Sequence, residues 1–357
     1  MALQASMTVM TPDLRPLRAP RDIDELELLL STPSAGAIET LRKIQGDILI
    51  LGVGGKMGPT LARMAKQASE AAGTPRRVIG VSRFSDPVLR DRLENGGIET
   101  IRCNLLDEDE VSRLPDAPHV ISMAGFKFGA ESNPSLTWAM NCYMPAILCR
   151  RFRSSRIVAF SSGNVYGMVP RTSGGSVESD TPCPVGEYAM TVLGRERMFD
   201  YFSRELGIPM VLLRLNYATE LRYGVLVDLG RKVWNNEPID LATSYVNVIW
   251  QTDANAMSLQ SLSSVTTPPR MLNIAGSEIL RIRDVATRFA ERMNRPAQFM
   301  GEETTHALLN NAAVSHRLFG RPQVATEQMI DWTADWIVEG GASLNKPTHF
   351  ESRDGRF

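Results

Sequence analysis

The amino-acid sequence predicts a doubly wound α/β fold, a parallel sheet with helices on both faces, followed by a smaller C-terminal lobe. Two observations lead to this prediction. Short apolar runs alternate with segments of helical periodicity up to Asn216, and the first run ends in a glycine-rich turn at residues 52–58. A chain of 357 residues is also long enough to form two joined lobes.

The apolar runs predict six strands. The first, DILILGV, is apolar almost throughout, which is typical of a parallel strand buried on both faces. The helical segment after it has apolar residues at 61, 64, 65 and 68. In chain order the predicted strands are residues 47–53, 77–82, 98–103, 119–124, 156–161 and 210–215.

Two segments flank this sheet-forming region, which spans residues 46–216. Residues 1–45 form an N-terminal extension: residues 1–20 have no periodicity and predict a mobile arm or edge-packing segment, and short helices are predicted at 23–30 and 37–43. Residues 217–357 mainly form the smaller lobe, with helices predicted at 224–234 and 247–262. A strand at 271–276 is expected to return to the main sheet.

Composition indicates a small-molecule partner. The formal net charge is −1, from 39 basic and 40 acidic residues, which leaves no electrostatic footprint for nucleic acid or an anionic membrane. The four cysteines form no C-x-x-C pair, and the four histidines have no ligand spacing, so no metal site is predicted. With no apolar run of about 20 residues and no signal layout, a cytoplasmic location is expected.

The glycine-rich turn, LGVGGKMG, lies between the first strand and the following helix. Backbone N–H groups in such a turn can approach a pyrophosphate, and the helix N-terminus adds partial positive charge. The alternative is a tight turn with no ligand. The context of strand before and helix after favours dinucleotide binding. The candidate residues are Gly52, Gly54, Gly55, Lys56, Met57 and Gly58.

The second strand ends at Ser82-Arg83, which bears on the choice of dinucleotide. An acidic residue there binds the ribose 2′-hydroxyl of NAD, whereas an arginine accommodates the 2′-phosphate of NADP. Lys56 is expected to add a second cation near the same end of the ligand. NADP is therefore favoured, and NAD stays an alternative in which both residues are solvated surface charges.

Two hydroxyl residues predict the reaction centre. Ser162 follows the fifth strand at the end that faces the ligand crevice, where a hydroxyl can donate to a substrate oxygen. Tyr188 opens a helix at Gly186-Glu187-Tyr188. A tyrosine phenol with a lowered pKa can exchange a proton with an alcohol or carbonyl while hydride moves to or from a cofactor.

Together these motifs resemble the extended short-chain dehydrogenases/reductases, the NAD-dependent epimerase/dehydratase family. The matching segments are G-x-x-G-x-x-G from Gly52, S-S-x-x-V-Y-G at 161–167, the G-E-Y helix start, Asn141, Arg214-Leu215-Asn216-Tyr217, and 273–276 with Glu278. Several ordered motifs in one chain are more specific than any single one. The resemblance covers residues 47 to about 340 and implies a Rossmann fold with a C-terminal substrate-binding lobe.

The resemblance implies a role for each matching residue. Ser162 would polarise the reacting oxygen, Tyr188 would be the general acid/base, and Asn141 would position a proton-relay water. The implied cofactor contacts beyond the glycine turn are Ser82, Arg83, Asn104, Leu105, Ala124, Gly125, Tyr188 and Asn216. Many members of this family dimerise through a helical bundle, so the resemblance also implies a homodimer.

One departure from the family concerns its Y-x-x-x-K pattern, because this chain has Val192 at the lysine position. The lysine would bind the nicotinamide ribose and lower the tyrosine pKa by its charge. Arg195, one turn further along the helix, or Lys127, in the loop after the fourth strand, is a candidate replacement. A protein that binds the dinucleotide without catalysis is the alternative function.

The sequence thus predicts an NAD(P)-dependent oxidoreductase or epimerase that acts at a carbinol or ketone carbon of a sugar-like or hydroxy-acid substrate. In the family, an arginine before the segment corresponding to 245–248 holds a nucleotide diphosphate, whereas this chain has Thr243-Ser244-Tyr245. A smaller substrate is therefore favoured. Arg222, Trp250 and Gln251 are candidates for its pocket, with core packing or surface exposure as the alternatives.

Overall fold

The computed structural model describes residues 18–127, 129–130 and 132–355. The proposed mobile arm at residues 1–20 therefore lies almost entirely outside the described residues. In chain order, the α-helices of the described part, α1 to α13, are Ile23–Ser31, Ala35–Lys43, Gly58–Ala71, Pro87–Asn95, Glu108–Ser112, Pro134–Trp138, Met144–Arg151, Gly186–Leu206, Val225–Trp234, Gln251–Gln260, Ile282–Met293, Ala313–Phe319 and Thr326–Val338.

A seven-stranded parallel sheet forms the centre of the molecule. Its strands, β1 to β7, are Ile48–Leu51, Val78–Ser82, Glu99–Arg102, His119–Ser122, Arg156–Ser162, Met210–Leu215 and Arg270–Ile274. The spatial order is β7-β6-β5-β4-β1-β2-β3, so the strand order reverses between β1 and β4. The predicted doubly wound Rossmann fold is confirmed, and the crevice at that reversal is where such sheets bind ligands.

The sheet is buried on both faces, as the uninterrupted apolar runs indicate. Alternate residues of β1 enter different cores: Ile48 and Ile50 pack with α3, whereas Leu49 and Leu51 pack with α7 and α8. The first strand ends at Leu51, two residues before the predicted end, because Gly52 adopts φ +83 and turns the chain out of the sheet.

The smaller lobe has its own apolar core, built on α9, α11 and α13. The strand β7 leaves this lobe and pairs in parallel with β6 at the sheet edge. Four short strand pairs complete the described part: Tyr245–Val246 with Leu280–Arg281, Ile249–Trp250 with Ala218–Thr219, Gln298–Met300 with Pro238–Asp240, and His306–Ala307 with Val169–Pro170.

The two N-terminal helices are integral to both lobes. Leu26 and Leu30 of α1 are buried in the core of the smaller lobe, and Leu41 of α2 is buried in the core of the sheet. On α1, Glu27 also accepts from Arg63 of α3 at 2.6 Å and from Arg222 at 2.7 Å. The described part of the N-terminal extension therefore joins the two lobes.

The helix predicted at 247–262 begins four residues later, at Gln251. Asn247 lies in a loop, where its amide donates to the carbonyl oxygens of Gly276 and Asn310. Because Ile249–Trp250 pairs with Ala218–Thr219, the backbone before Gln251 is extended. No helix of the described part is long and apolar enough to cross a membrane.

A buried ion pair attaches α8 to the sheet. Arg214 of β6 contacts Glu196 of α8 through two N–O distances of 2.8 and 2.9 Å, and both side chains are almost fully buried. Ser161 of β5 donates to the same carboxylate at 2.5 Å, and the Arg214 guanidinium donates to the Tyr166 hydroxyl at 2.7 Å. The Tyr166 hydroxyl then donates to Asn273 of β7, so three strands and one helix share the network.

We expect Glu196→Gln to lower the free energy of unfolding by about 3–5 kcal/mol, because it leaves a buried guanidinium charge without its carboxylate. Urea denaturation followed by circular dichroism measures the loss. The control is Asp200→Asn on the same helix, which breaks a more exposed pair with Arg204 and should cost less than about 1 kcal/mol. Equal losses for the two variants would contradict the importance of the buried pair.

Candidate active site

The glycine turn and the loop after β4 meet at the point where the strand order reverses. A β-carbon placed on Gly52 would lie 2.7 Å from the backbone of Ala124, and one placed on Gly54 would lie 2.5 Å from the Ser82 hydroxyl oxygen. Gly54 and Gly55 are exposed, and α3 begins at Gly58 with no side chain capping its N-terminus. The turn thus has the exposed backbone and uncapped helix end that suit a phosphate.

Residues predicted to contact the adenosine half of a dinucleotide lie at the same edge of the sheet. Ser82 ends β2 and Arg83 follows it, exposed and with no ion pair to any residue that the structure describes. Asn104 and Leu105 follow β3. The backbone N–H of Asn104 donates to the Glu110 carboxylate at 2.7 Å, and Leu105 is buried. This arrangement is compatible with the predicted adenosine site.

Lys56 points away from Arg83, so the expectation of a second cation near the 2′-position is wrong. Its ammonium group donates to the carbonyl of Ala218 at 3.0 Å and lies 3.7 Å from the centroid of the Tyr223 ring. Ala218 follows β6, and β6 and β2 lie on opposite sides of β1 in the sheet. Burial lowers the pKa of Lys56 to about 7, although the Glu220 carboxylate opposes this change.

Ser162 and Tyr188 come together as predicted from their positions in the fold. Ser162 is the last residue of β5, and its side chain is hydrogen-bonded to that of Tyr188. The Ser162 hydroxyl also donates to the Asn164 side-chain oxygen at 2.8 Å. Burial raises the pKa of Tyr188, while the nearby Arg195 charge and the Ser162 bond lower it, so the net pKa is higher than expected from the sequence.

Val192 occupies the family's lysine position and is fully buried, in contact with Val165 and Tyr166. The Arg195 guanidinium approaches from one turn further along α8. It donates to the Phe160 carbonyl at 3.1 Å and to the Asn141 side-chain oxygen. A β-carbon placed on Gly125 would lie 2.2 Å from it, so the glycine there makes room for the guanidinium.

Lys127, the other candidate replacement, also reaches this region. Its ammonium group lies 5.7 Å from the centroid of the Tyr188 ring. Burial lowers the pKa of Lys127 to about 8, with Asp228 of α9 opposing the change. Both candidate cations are thus near Tyr188, with Arg195 beneath the loop after β4 and Lys127 beside the aromatic ring.

The model of the NAD dependent epimerase/dehydratase family matches residues 48–218, the segment that carries the glycine turn, Ser162 and Tyr188. This segment, just under half of the chain, is similar to that family. The resemblance stated from the motifs is confirmed, as is the prediction of an epimerase/dehydratase-type enzyme at the level of the family. The chain matches no curated protein.

Solved structures share the fold at low sequence identity. One is UDP-glucuronic acid 4-epimerase from Bacillus cereus, in complex with UDP-glucuronic acid and NAD: TM-score 0.68, 19% identity, covering 82% of this chain and 98% of that one. Another is Thermus thermophilus UDP-glucose 4-epimerase with NAD: TM-score 0.66, 19% identity, covering 83% and 99%. UDP-glucose 4-epimerase from Thermotoga maritima has a TM-score of 0.65 and 15% identity, covering 82% and 99%.

Asn141, for which the family resemblance implies a water-positioning role, is hydrogen-bonded to protein groups through both of its side-chain atoms. It lies in a π-helical turn, Ala139–Tyr143, within the run from α6 to α7. Its amide nitrogen donates to the Phe126 carbonyl and the Thr191 hydroxyl, and its oxygen accepts from the Phe126 N–H and Arg195. All four bonds are made within the protein, so Asn141 fixes the loop after β4 and Arg195. Its role in positioning a water stays a prediction.

Several other sequence assignments change in the structure. Asn216 is buried and its amide donates to Asn247, and its cofactor contact stays a prediction. Trp250 packs edge-on against Trp332 in the core, and Gln251 donates to Thr60, so neither is a pocket residue. Arg222 is ion-paired with Glu220 and Glu27 and is not a solvated surface charge.

Sequence reasoning missed one group of residues around Tyr188, which is contributed by the smaller lobe. Tyr223 and Asp228 interact electrostatically with each other, and Tyr223 also interacts with Tyr188. The C-terminal residues from Thr348 onward lie close by, since Thr348 donates twice to Asp228. No motif marks them, because they reach the site only through the packing of the smaller lobe.

The lowered pKa of Lys56 predicts that stability rises with pH above neutrality. Between pH 7 and about 10 the unfolded chain still holds the lysine proton that the folded protein has lost, so folding is favoured as pH rises. The measured quantity is the unfolding free energy of the wild type minus that of the Lys56→Met variant. This difference should increase between pH 7 and pH 9 by at most about 1.4 kcal/mol per pH unit. Below pH 7 it should be constant. The exposed Lys43→Met provides the control in urea denaturation, and a flat difference for Lys56 would contradict the prediction.

Proposed function

We propose that the chain is an NAD(P)-dependent oxidoreductase or epimerase of the extended short-chain dehydrogenase/reductase type. It acts at a carbinol or ketone carbon of a sugar-like or hydroxy-acid substrate. The observation that carries the proposal is the hydrogen-bonded pair of Ser162 and Tyr188, which stands at the carboxyl edge of the sheet together with the glycine turn. A binding-only protein has no need of this pair.

In this proposal the dinucleotide lies across the crevice between β1 and β4. The glycine turn and the N-terminus of α3 hold its pyrophosphate, and the residues after β2 and β3 border its adenosine half. The loop at Ala124 and Gly125 borders the nicotinamide half. When bound, the nicotinamide donates or accepts the hydride. Arg83 favours NADP, because its exposed guanidinium can pair with a 2′-phosphate.

The protein's own groups handle the proton and the substrate oxygen. Ser162 donates a hydrogen bond to the reacting oxygen, which stabilises negative charge there. Tyr188 transfers a proton to or from the same oxygen as the carbon changes between alcohol and ketone. Because burial raises the pKa of Tyr188, the phenolate form needs a cation nearby.

We propose that Arg195 supplies this cation in place of the family's lysine. Its charge lowers the pKa of Tyr188, and its bonds to Asn141 and Phe160 fix the guanidinium in position. Lys127 is the second candidate, at 5.7 Å from the centre of the ring. The fixed position of Arg195 favours it over Lys127, because a preorganised charge needs no rearrangement during the reaction.

The alternative function is a dinucleotide-binding protein without catalysis, favoured by the full burial of Val192 in apolar contacts. A valine can neither bind a ribose nor stabilise a phenolate. The two functions differ in a simple test: both bind the dinucleotide, but only the enzyme changes its redox state when substrate is present.

Cofactor binding tests the proposal first. We expect NADPH to bind with micromolar affinity in a fluorescence titration and NADH to bind more weakly, because the exposed Arg83 guanidinium can pair with a 2′-phosphate. Arg83→Ala should weaken NADPH binding at least about tenfold and leave NADH binding nearly unchanged. The exposed Arg92→Ala, on α4, is the control. Equal losses for both dinucleotides would exclude the 2′-phosphate role, and no binding of either would refute the proposed function.

Turnover tests the reaction centre, with a panel of sugars, sugar acids and hydroxy acids. Tyr188→Phe should lower kcat at least about 100-fold, because the proton donor is lost, while the Kd for the cofactor stays nearly constant. Tyr201→Phe, at an exposed position of the same helix, should match the wild type. A Tyr188→Phe variant of wild-type rate would refute the proton-transfer role, and cofactor binding without turnover in the panel would favour the binding-only function.

The same turnover assay distinguishes Arg195 from Lys127 as the cation that lowers the pKa of Tyr188. Arg195→Gln removes a charge that lowers the pKa of Tyr188, so the pH dependence of kcat should shift to higher pH, and Arg195→Lys should partly restore it. Lys127→Gln should leave the profile closer to that of the wild type. A shift in Lys127→Gln alone would assign the role to Lys127.

A further inference from the structure

The last residues of the described chain run across the active-site side of the molecule. We call residues 348–355 the C-terminal strap. After α13 ends at Val338, the chain has no regular secondary structure, and yet the strap is held at several points. Thr348 donates to Asp228 of α9 through its N–H at 2.9 Å and its hydroxyl at 2.6 Å. Phe350 is buried in the core of the smaller lobe.

The contacts continue along the strap. Glu351 forms an ion pair with Lys232 of α9, and its carbonyl accepts from the Thr243 hydroxyl at 3.3 Å. Arg353 donates to the Ala242 carbonyl at 2.9 Å. These bonds attach the strap to α9 and to the segment before Tyr245, two parts of the smaller lobe, and so fix its path over that lobe.

The end of the strap contacts the helix that carries Tyr188. A β-carbon on Gly355 would lie 2.1 Å from the Val185 carbonyl oxygen, and one on Gly186 would lie 2.5 Å from the Gly355 carbonyl oxygen. Both glycines adopt positive φ, +78 and +82. This close backbone approach is made at the first residue of α8, two positions before Tyr188.

A small cavity lies beside the strap, with a volume of about 50 Å³. Its lining includes Phe350, Ser352, Arg353 and Gly355 of the strap together with Asn164, the hydrogen-bond partner of Ser162. On this measure a water molecule needs about 10–15 Å³, so the space admits about four waters or a group of similar size. The strap therefore limits what fits beside Asn164, which contacts Ser162.

We propose that the C-terminal strap is a specificity element: it forms one wall of the substrate pocket and excludes substrates with a large substituent on this side of the reacting carbon. The proposal rests on the proposed function, because it takes Ser162 and Tyr188 as the reaction centre. It narrows the substrate class to compact molecules such as free sugars, sugar acids or hydroxy acids. A nucleotide-linked sugar is too large while the strap stays in place.

Three variants test the strap. One ends the chain after Pro347. The second, Gly355→Ala, keeps Phe350 in the core but puts a methyl group into the contact with Val185, so it remains informative if the shortened chain does not fold. The control, Gly340→Ala, carries similar backbone strain at φ +74 and meets no atom within 4 Å.

Calorimetry with saturating cofactor gives the Kd for two probes, D-glucuronate and UDP-glucuronate. We expect the intact protein and Gly340→Ala to prefer the smaller probe at least about tenfold, and both strap variants to reduce that preference at least about fivefold. An unchanged ratio in all four proteins would overturn the proposal, as would the absence of binding of either probe to any of them.

Cofactor affinity, measured on the same four proteins, separates the two proposals. If the intact protein binds neither NADPH nor NADH, the proposed function fails. If it binds a cofactor normally and the probe ratio does not respond to the strap variants, the strap proposal alone fails.

Discussion

The ion pair between Arg214 and Glu196 is the constraint on which the geometry of the reaction centre depends. It is buried where β6 passes beneath α8, and the hydroxyls of Ser161 and Tyr166 complete its hydrogen bonds. A buried pair of charges is stable only when its remaining donors and acceptors are satisfied, so its geometry is narrowly defined. Since Glu196 follows Arg195 on the helix, and Ser161 precedes Ser162 on the strand, the pair sets the distance between helix and strand that brings Tyr188 to Ser162.

At the position of the family's lysine this chain has a valine, and a set of packed groups surrounds it. The guanidinium that comes from the next turn of α8 fills a space that Gly125 leaves open, and the Asn141 amide satisfies one of its nitrogens. The same amide fixes the backbone of Phe126 by two bonds. The loop after β4, Asn141 and Arg195 thus form one rigid unit, in which a change at one position affects the other two.

The sequence predicted the fold well, because its signals are local. Periodicity locates all seven sheet strands to within a few residues, and the carboxyl ends of parallel strands necessarily meet at one edge, which places Ser162 at the same edge as the glycine turn. The direction of Lys56 and the bonds of Asn141 depend on residues more distant in sequence, and no local pattern encodes them. The path of the C-terminal strap is still harder to predict from the sequence, since its irregular backbone is held by scattered contacts. The homodimer, the cytoplasmic location and the preference for NADP stay predictions.

The contact between Gly355 and Gly186 has a practical consequence for handling the protein. Gly355 lies against the first residue of the helix that carries Tyr188, so a purification tag fused directly after Gly355 would begin close to the first turn of that helix. A bulky or charged tag there would compete with the strap for its position. Kinetic constants from a protein with such a tag would then describe an altered pocket.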